Sequence, residues 1–461
     1  MKIHEKECVL ILDEMSITKS VDFDTSTSSY YGVVTLPEHY GQANHALVFM
    51  LGGISTRWKQ TVAYYYTGSS VNGGVLKNIV LSIIKYTKEI GLKVNSVTSD
   101  MGAINQAMWK SFNISCTKSG SISSSIKHPC DPTPKIQEKY KLQLPIIDSK
   151  HLKKLVDFQE GMDLKFAYKL TSEHLDEKHF NKMKVSRATS VMNHDVSCGL
   201  KFIASEIKGD SILTTVWFIG IVDKWFTLMT SRNLGMALSM KNDKVYNETI
   251  TFLNEVIEIF NGLKILGQTG KIRWKPIQSG VILSTTSVIN LQNNFLLEKK
   301  FDFLMTSRFT QDCLENLFSL VRAKQVIPTA LQFKNNLKLI CVAQFLKKLS
   351  KGSYDIDNRQ FLSGFLDIVN SKVHKPQRRE CILLPKDWDK TSNLILSNAE
   401  QNCLFHIAGY KISRVKKIEK VCTICFESLV SKIRVNADYT KFVTDKEHKC
   451  YKSYMGHTSY G

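Results

Sequence analysis

The chain has 461 residues, and at roughly 100–200 residues per domain that length predicts two to four domains. Hydrophobic residues make up 43% and charged residues 23%, a balance that excludes wholesale disorder. Lys and Arg number 62 against 42 Asp and Glu, a net charge of +20. Such a surface attracts a polyanion through phosphate neutralisation and counterion release, although a merely basic soluble protein has the same composition. The polar opening, Met1 to Lys6, carries no secretory signal. The longest mostly apolar stretch, Ile212 to Val222, is about half what a bilayer span needs. It closes on Asp223 and Lys224, so it reads as buried core, and no membrane partner is expected. The eleven scattered cysteines, odd in number, read as core thiols in a reducing compartment, cytosol or nucleus.

Residues 8–17 open with a continuous apolar run that ends in Asp13 and Glu14, the pattern of a central strand buried on both faces. Gly32 to Leu36, His45 to Ile54 and Val62 to Thr67 predict further strands. Leu76, Ile79, Val80, Ile83 and Ile90 then share a helical face, with Gly91 as its stop. Leu92 to Val97 predicts the next strand, running into Thr98-Ser99-Asp100, and Ala103 to Phe112 a helix. Residues 115–134 read as loop, and Leu144 to Ile147 as a strand ending at Asp148 with a helix after it. Three strands followed by alternating helices and strands predict an α/β fold, a mixed sheet with helices packed on it. The region 165–300 reads as mostly helical, with Phe252, Leu253, Val256, Ile257 and Phe260 as one amphipathic stripe. Residues 310–349 predict two helices. Apolar runs return at Leu404 to Tyr410 and Cys422 to Val430.

Phosphoryl transfer on nucleic acid commonly uses two Mg²⁺ ions about 4 Å apart, held by hard oxygen ligands. Asp13 and Asp100 stand where two predicted strands run out. Glu315 borders a helical face of Leu314, Leu317, Phe318 and Val321, with Thr310 as the expected cap and Asp312 in the first turn. By position alone Glu14 competes with Asp13, Asp148 with Asp100, and Asp312 with Glu315. An acid after a strand is also often a turn or capping residue. No dinucleotide fingerprint or P-loop is visible.

The words around these acids are more specific. Ile11-Leu12-Asp13-Glu14-Met15-Ser16-Ile17, Ala43 to Met50, Trp58-Lys59-Gln60 and Ala63-Tyr64-Tyr65 resemble the P-element and THAP-domain transposase family. So do Val97-Thr98-Ser99-Asp100 with Asn105, Asp148 with His151-Leu152-Lys153, and Lys182 to Val185. Further on, Gly280-Val281-Ile282-Leu283, Thr310 to Arg322 and Ala408-Gly409-Tyr410 continue the resemblance, in family order. It implies an RNase H-like mixed sheet interrupted by a mostly helical insertion, with a small helical C-terminal region. The implied domains are 1–164 and 301–350 for the RNase H-like parts, 165–300 for the insertion and 375–461 for the C-terminal domain. It also implies a nuclear DNA transposase of DDE type, with Asp13, Asp100 and Glu315 as the acid triad and ligands of Mg²⁺ or Mn²⁺. DNA ends and target would be its partners, and a homo-oligomer its working form.

In this family the insertion is expected to bind GTP. Asp176 and Lys182 stand where charged nucleotide contacts would fall. Yet the family's Phe-Asp-x-x-Asn-Ser-Arg word reads Phe226-Thr227-Leu228-Met229-Thr230-Ser231-Arg232 here, and two hydroxyls meet a purine edge poorly. Cys422-x-x-Cys425 has zinc-ligand spacing, with Cys403, His406, His448 and Cys450 as possible completing ligands; core thiols are the other reading. Only seven residues precede Cys8, so the family's zinc-binding THAP domain is not expected ahead of the first strand. A domesticated or truncated DNA-binding derivative without catalysis is therefore the rival function.

Overall fold

The computed structural model describes residues 3–116, 122–123, 147–175, 185–206, 211–266, 272–349 and 396–418. In chain order β1 (Glu7–Ser16), β2 (Asp22–Asp24), β3 (Ser29–Tyr31), β4 (His45–Gly53), β5 (Lys59–Thr67), α1 (Gly73–Glu89), β6 (Lys93–Thr98) and α2 (Ala103–Ser111) come first. Then follow α3 (Lys150–Gln159), α4 (Val185–Val191), α5 (His194–Glu206), α6 (Ser211–Met229), α7 (Asp243–Gly262) and α8 (Pro276–Gln292). Last come α9 (Asp312–Arg322), α10 (Ala330–Leu349) and α11 (Asn398–Ile418).

Two compact units divide the chain. The first gathers Met1–Lys139, Ile265–Leu291 and Thr306–Leu384. Its mixed sheet has the order β5-β4-β1-β6, with β1 antiparallel to β4 and parallel to β6. Every residue from Glu7 to Leu12 is buried, because both faces of β1 are covered. Val9, Ile11 and Met15 join Val48, Met50 and Tyr66 beneath α9 and α10. Cys8, Leu10 and Leu12 join Leu47, Phe49 and Leu51 beneath α1 and α2. Each fully buried aliphatic side chain contributes about 1.5–3 kcal/mol, so this one strand carries much of the unit's stability.

Helix α1 starts at Asn72, whose side chain accepts the Gly74 N–H at 2.8 Å, and it stops before Gly91, at φ +81°. Ile90 falls beyond the helix and is exposed. The strand expected at Gly32–Leu36 is not one. Gly32 turns to φ +124° and only Val33 makes a bridge, to Gln42. The extended segments are instead β2 and β3, a short hairpin whose turn is tied by Asp24 to Ser26 and Thr27. Three-residue strands with polar residues around them leave no readable alternation.

The second unit gathers Tyr140–Lys264, Gln292–Met305 and Pro385–Gly461, and its described core is helical. Leu152, Leu155, Val196, Leu200, Ile212 and Ile219 pack α3, α5 and α6 together. The buried His151 ring is hydrogen-bonded to Thr215 across that packing, at 2.7 Å. On α7 the buried stripe runs through Phe252, Leu253, Val256, Ile259 and Phe260, with Ile257 only half-buried. Helix α6 corrects the reading of Ile212–Val222 as closed core. It continues through Asp223 and Lys224, because the Asp223 carboxylate accepts the His194 N–H and the Lys224 ammonium lies 4.0 Å from the Phe252 ring centroid. Its window Ile212–Met229 is long and apolar enough to cross a membrane. Ile212, Thr215, Ile219 and Leu228 are buried, whereas Leu213, Trp217 and Phe226 are exposed.

Gly73 allows α1 to meet α2, since a Cβ there would stand 2.5 Å from the Ala107 carbonyl carbon. Gly73→Ala is expected to cost about 1–3 kcal/mol in chemical denaturation. Gly161→Ala, with nothing within 4 Å of the new Cβ, should be near neutral.

Candidate active site

The pleat of β1 sends alternate side chains to opposite faces. Asp13 shares the parity of Ile11 and Met15, the face that α9 and α10 cover, whereas Glu14 shares that of Leu10 and Leu12. In the parallel pairing Ile11 stands opposite Thr98. Two residues further along, that register brings Asp100 beside Asp13. Helix α9 lies on the Asp13 face through Leu314, Leu317, Phe318 and Val321, and Glu315 follows directly on that seam. Asp13 is half-buried, while Asp100 and Glu315 are exposed.

These three acids feel one another. Burial and, to a lesser degree, the negative charges of Asp100, Glu315 and Glu14 together raise the Asp13 carboxyl to about 6, against the Glu14 N–H, which donates to Oδ1 at 2.8 Å. Glu14 is also raised, first by burial and then by Asp100, against a long hydrogen bond from the Thr67 hydroxyl at 3.5 Å. Among the described residues no Lys or Arg forms an ion pair with any of these four acids. Carboxylates without a cationic partner offer hard oxygens of the kind a divalent metal takes, although Asp13 lies within β1, which runs on to Ser16 rather than ending at the acids. Among the described residues no three His, Cys, Asp or Glu groups are gathered tightly enough for one ion.

The supports are specific. Asp100 Oδ1 accepts from Asn105 Nδ2 at 2.5 Å and from the Gly102 N–H at 3.0 Å. The Thr98 hydroxyl donates to the Phe309 carbonyl at 2.9 Å, and Gln311 Nε2 to the Leu12 carbonyl at 3.0 Å. Gln311 thereby pins the start of α9 to the residue before Asp13. Thr310 does not cap α9 as expected; Gln311 occupies the N-cap position and the Thr310 hydroxyl donates to the Ser307 carbonyl. Gly280 of α8 lies against Met101, where a Cβ would stand 3.4 Å from Met101 Cγ. Neither the Gln311 tether nor the Gly280 contact was legible beforehand, since both are long-range. Of the competing acids, Asp148 belongs to the other unit and Asp312 lies in the first turn of α9.

Residues 1–113 match the family model "TNP-like, RNase H N-terminal domain" and residues 135–243 match "TNP-like, GTP-binding insertion domain". The transposable element P transposase of Drosophila melanogaster is 24% identical over 454 residues, which cover 90% of this chain and 56% of that protein. The chain is similar in sequence to the P-element transposases. It spans little more than half the length of that curated relative. The solved Drosophila P element transposase strand transfer complex superposes with a TM-score of 0.57 at 23% identity, covering 75% of this chain and 78% of that one. The P-element likeness therefore includes the fold, an RNase H-like mixed sheet with an insertion.

The family description matched by residues 135–243 names GTP binding. The Thr230 hydroxyl donates to the Phe226 carbonyl at 2.7 Å, at the end of α6. Asp176 and Lys182 lie outside the described residues, as do Cys422, Cys425, His448 and Cys450. Cys403 is buried with Phe166, Cys198 and Phe202, the setting of a core thiol.

The raised Asp13 carboxyl has a stability consequence. An acid whose folded pKa exceeds its unfolded value destabilises the folded state once ionised, so the metal-free protein loses stability as pH rises from about 4 through about 6. After allowance for solvent screening the effect is on the order of 1 kcal/mol. Asp13→Asn should raise the metal-free melting temperature at pH 7.5 and shrink the difference between pH 5 and pH 7.5. A pair of thermal melts at each pH checks this.

Proposed function

We propose that this chain is the catalytic core of a DDE-type DNA transposase that hydrolyses a phosphodiester at a transposon end and joins the freed 3′-hydroxyl to target DNA. The observation that carries the reading is the half-buried Asp13 carboxyl, which feels the negative charges of Asp100 and Glu315 and has no Lys or Arg ion-pair partner among the described residues. A curated relative named as a P transposase and a related structure titled a strand transfer complex support the same reaction and the same DNA partner. The net charge of +20 supports it as well.

Asp13, from the central strand, would hold metal on the face shared with Glu315. Asp100, oriented by Asn105 and Gly102, would complete the set from β6. Bound Mg²⁺ or Mn²⁺ would supply Lewis-acid stabilisation of the attacking and leaving oxygens. Gln311, bonded to the Leu12 carbonyl, would act as a positioning residue for the start of α9 and hence for Glu315. The catalytic domain would comprise 1–164 and 301–350 around a helical insertion at 165–300, with 375–461 as a C-terminal domain. The site of action would be the nucleus, and the working form an oligomer that brings two ends together.

Supercoiled or oligonucleotide DNA incubated with Mg²⁺ or Mn²⁺ should be nicked by the wild type. Asp100→Ala and Glu315→Ala should each lower the rate by about 100-fold or more. Binding without metal-dependent cleavage, unchanged by either substitution, would instead identify a non-catalytic DNA-binding derivative. Independently of activity, Mn²⁺ should raise the melting temperature of the wild type and leave that of Asp13→Asn unmoved.

A further inference from the structure

A cavity of about 300 Å³ opens at the β5 edge of the sheet, walled by Tyr30, Tyr31, Val33, Thr35, Tyr64 and Tyr66. Its position follows from the strand register. Asp13 pairs with Val48, and Val48 pairs with Tyr64. Two strand spacings, about 10 Å, therefore separate Tyr64 from Asp13, and Tyr64 packs on the same apolar layer as Val48.

The walls are held rigidly. Tyr66 donates its hydroxyl to the Ala330 carbonyl at 2.7 Å, and its N–H to Thr35 Oγ1 at 2.8 Å. Tyr64 and Tyr66 each meet Phe333 edge-on, at 5.8 and 6.3 Å between ring centroids. Lys334 holds Tyr31 from behind: its ammonium lies 2.5 Å from the Tyr31 hydroxyl and 3.9 Å from the ring centroid, and pairs with Asp24 at 3.1 Å. Gly32 closes the loop where a Cβ would collide with the Ser20 carbonyl oxygen. Against this fixed background Tyr30 is 70% exposed at the rim, stacked at a tilt on Phe23 at 4.9 Å.

Exposing that much aromatic surface has a cost in water, and holding it in place adds to the cost, unless a planar partner covers it. A volume near 300 Å³ with aromatic walls suits one flat ring system, and the tyrosine hydroxyls and Thr35 around it can meet a polar ring edge. We infer that this cavity takes an unstacked base of single-stranded DNA, next to the strand end that carries Asp13. The inference rests on the transposase reading above, and it adds a base-binding subsite to it. Stacking on tyrosine is tolerant of sequence, so the pocket selects single-stranded over paired DNA rather than one base over another.

The test uses the full chain in EDTA, so that no cleavage occurs. A fluorescein-labelled single strand and the blunt duplex of the same sequence are titrated by anisotropy, with a single 2-aminopurine in a parallel strand. Tyr30→Ala and Val33→Trp, both at exposed positions, remove one wall and fill the cavity. Each should weaken single-strand binding about tenfold and restore 2-aminopurine emission, with duplex affinity unchanged. Tyr30→Phe should behave as wild type, because the ring rather than the hydroxyl does the stacking. Unchanged single-strand affinity and emission in both variants would overturn the subsite while leaving the transposase reading standing. A parallel loss of duplex affinity would also overturn it, by assigning these residues to backbone contact. A wild type that binds neither DNA would overturn both readings together.

Discussion

The pleat of β1 sorts its side chains between two apolar layers, and that sorting decides where its acids can act. From Glu7 to Leu12 both layers are closed, so the strand must be central and helices must cover both faces. Asp13 is half-buried between Ile11 and Met15, both closed in the layer built by α9 and α10. Glu14, one residue on, is turned to the opposite layer. A shift of one residue in register would exchange them, so the antiparallel pairing of Asp13 with Val48 is as important to the site as the acid itself.

Concentrating negative charge around Asp13 works against folding. Asp13 titrates near 6 because burial and its acidic neighbours both oppose ionisation. The fold withstands this through neutral supports: amide groups from Asn105 and Gln311, backbone N–H groups from Glu14 and Gly102, and the hydroxyl of Thr98. None of these carries a positive charge, so none would compete with a metal for the carboxylates. A Lys or Arg in the same places would steady the metal-free protein and weaken its grip on a divalent ion.

Much of this could be read from the chain. The buried run before Asp13, the helical face of Leu76, Ile79 and Val80, and the seam Leu314, Leu317, Phe318 and Val321 are periodic patterns, and periodicity survives in sequence. The hairpin at 22–31 could not be read, because strands of three residues carry no pattern. In sequence the apolar stretch Ile212–Val222 closes at Asp223 and Lys224, yet α6 runs on through both, because an amide of α5 and a ring of α7 receive them. The tether from Gln311 to Leu12 spans 299 residues, and nothing local announces it.

By itself the sequence determined the elements and the chemistry available to them: a central strand ending in acids, a later helix with an acid beside its apolar seam, and a strongly basic surface. These are properties of neighbouring residues and of composition. Only the tertiary structure decided which acids meet. Strand pairing sets Thr98 against Ile11, two residues short of Asp100 and Asp13, helix packing lays the α9 seam beside Glu315 on the Asp13 face, and the β5 edge gathers tyrosines from two separate segments into one cavity. Those choices depend on register and packing across hundreds of residues, and no window along the chain contains them.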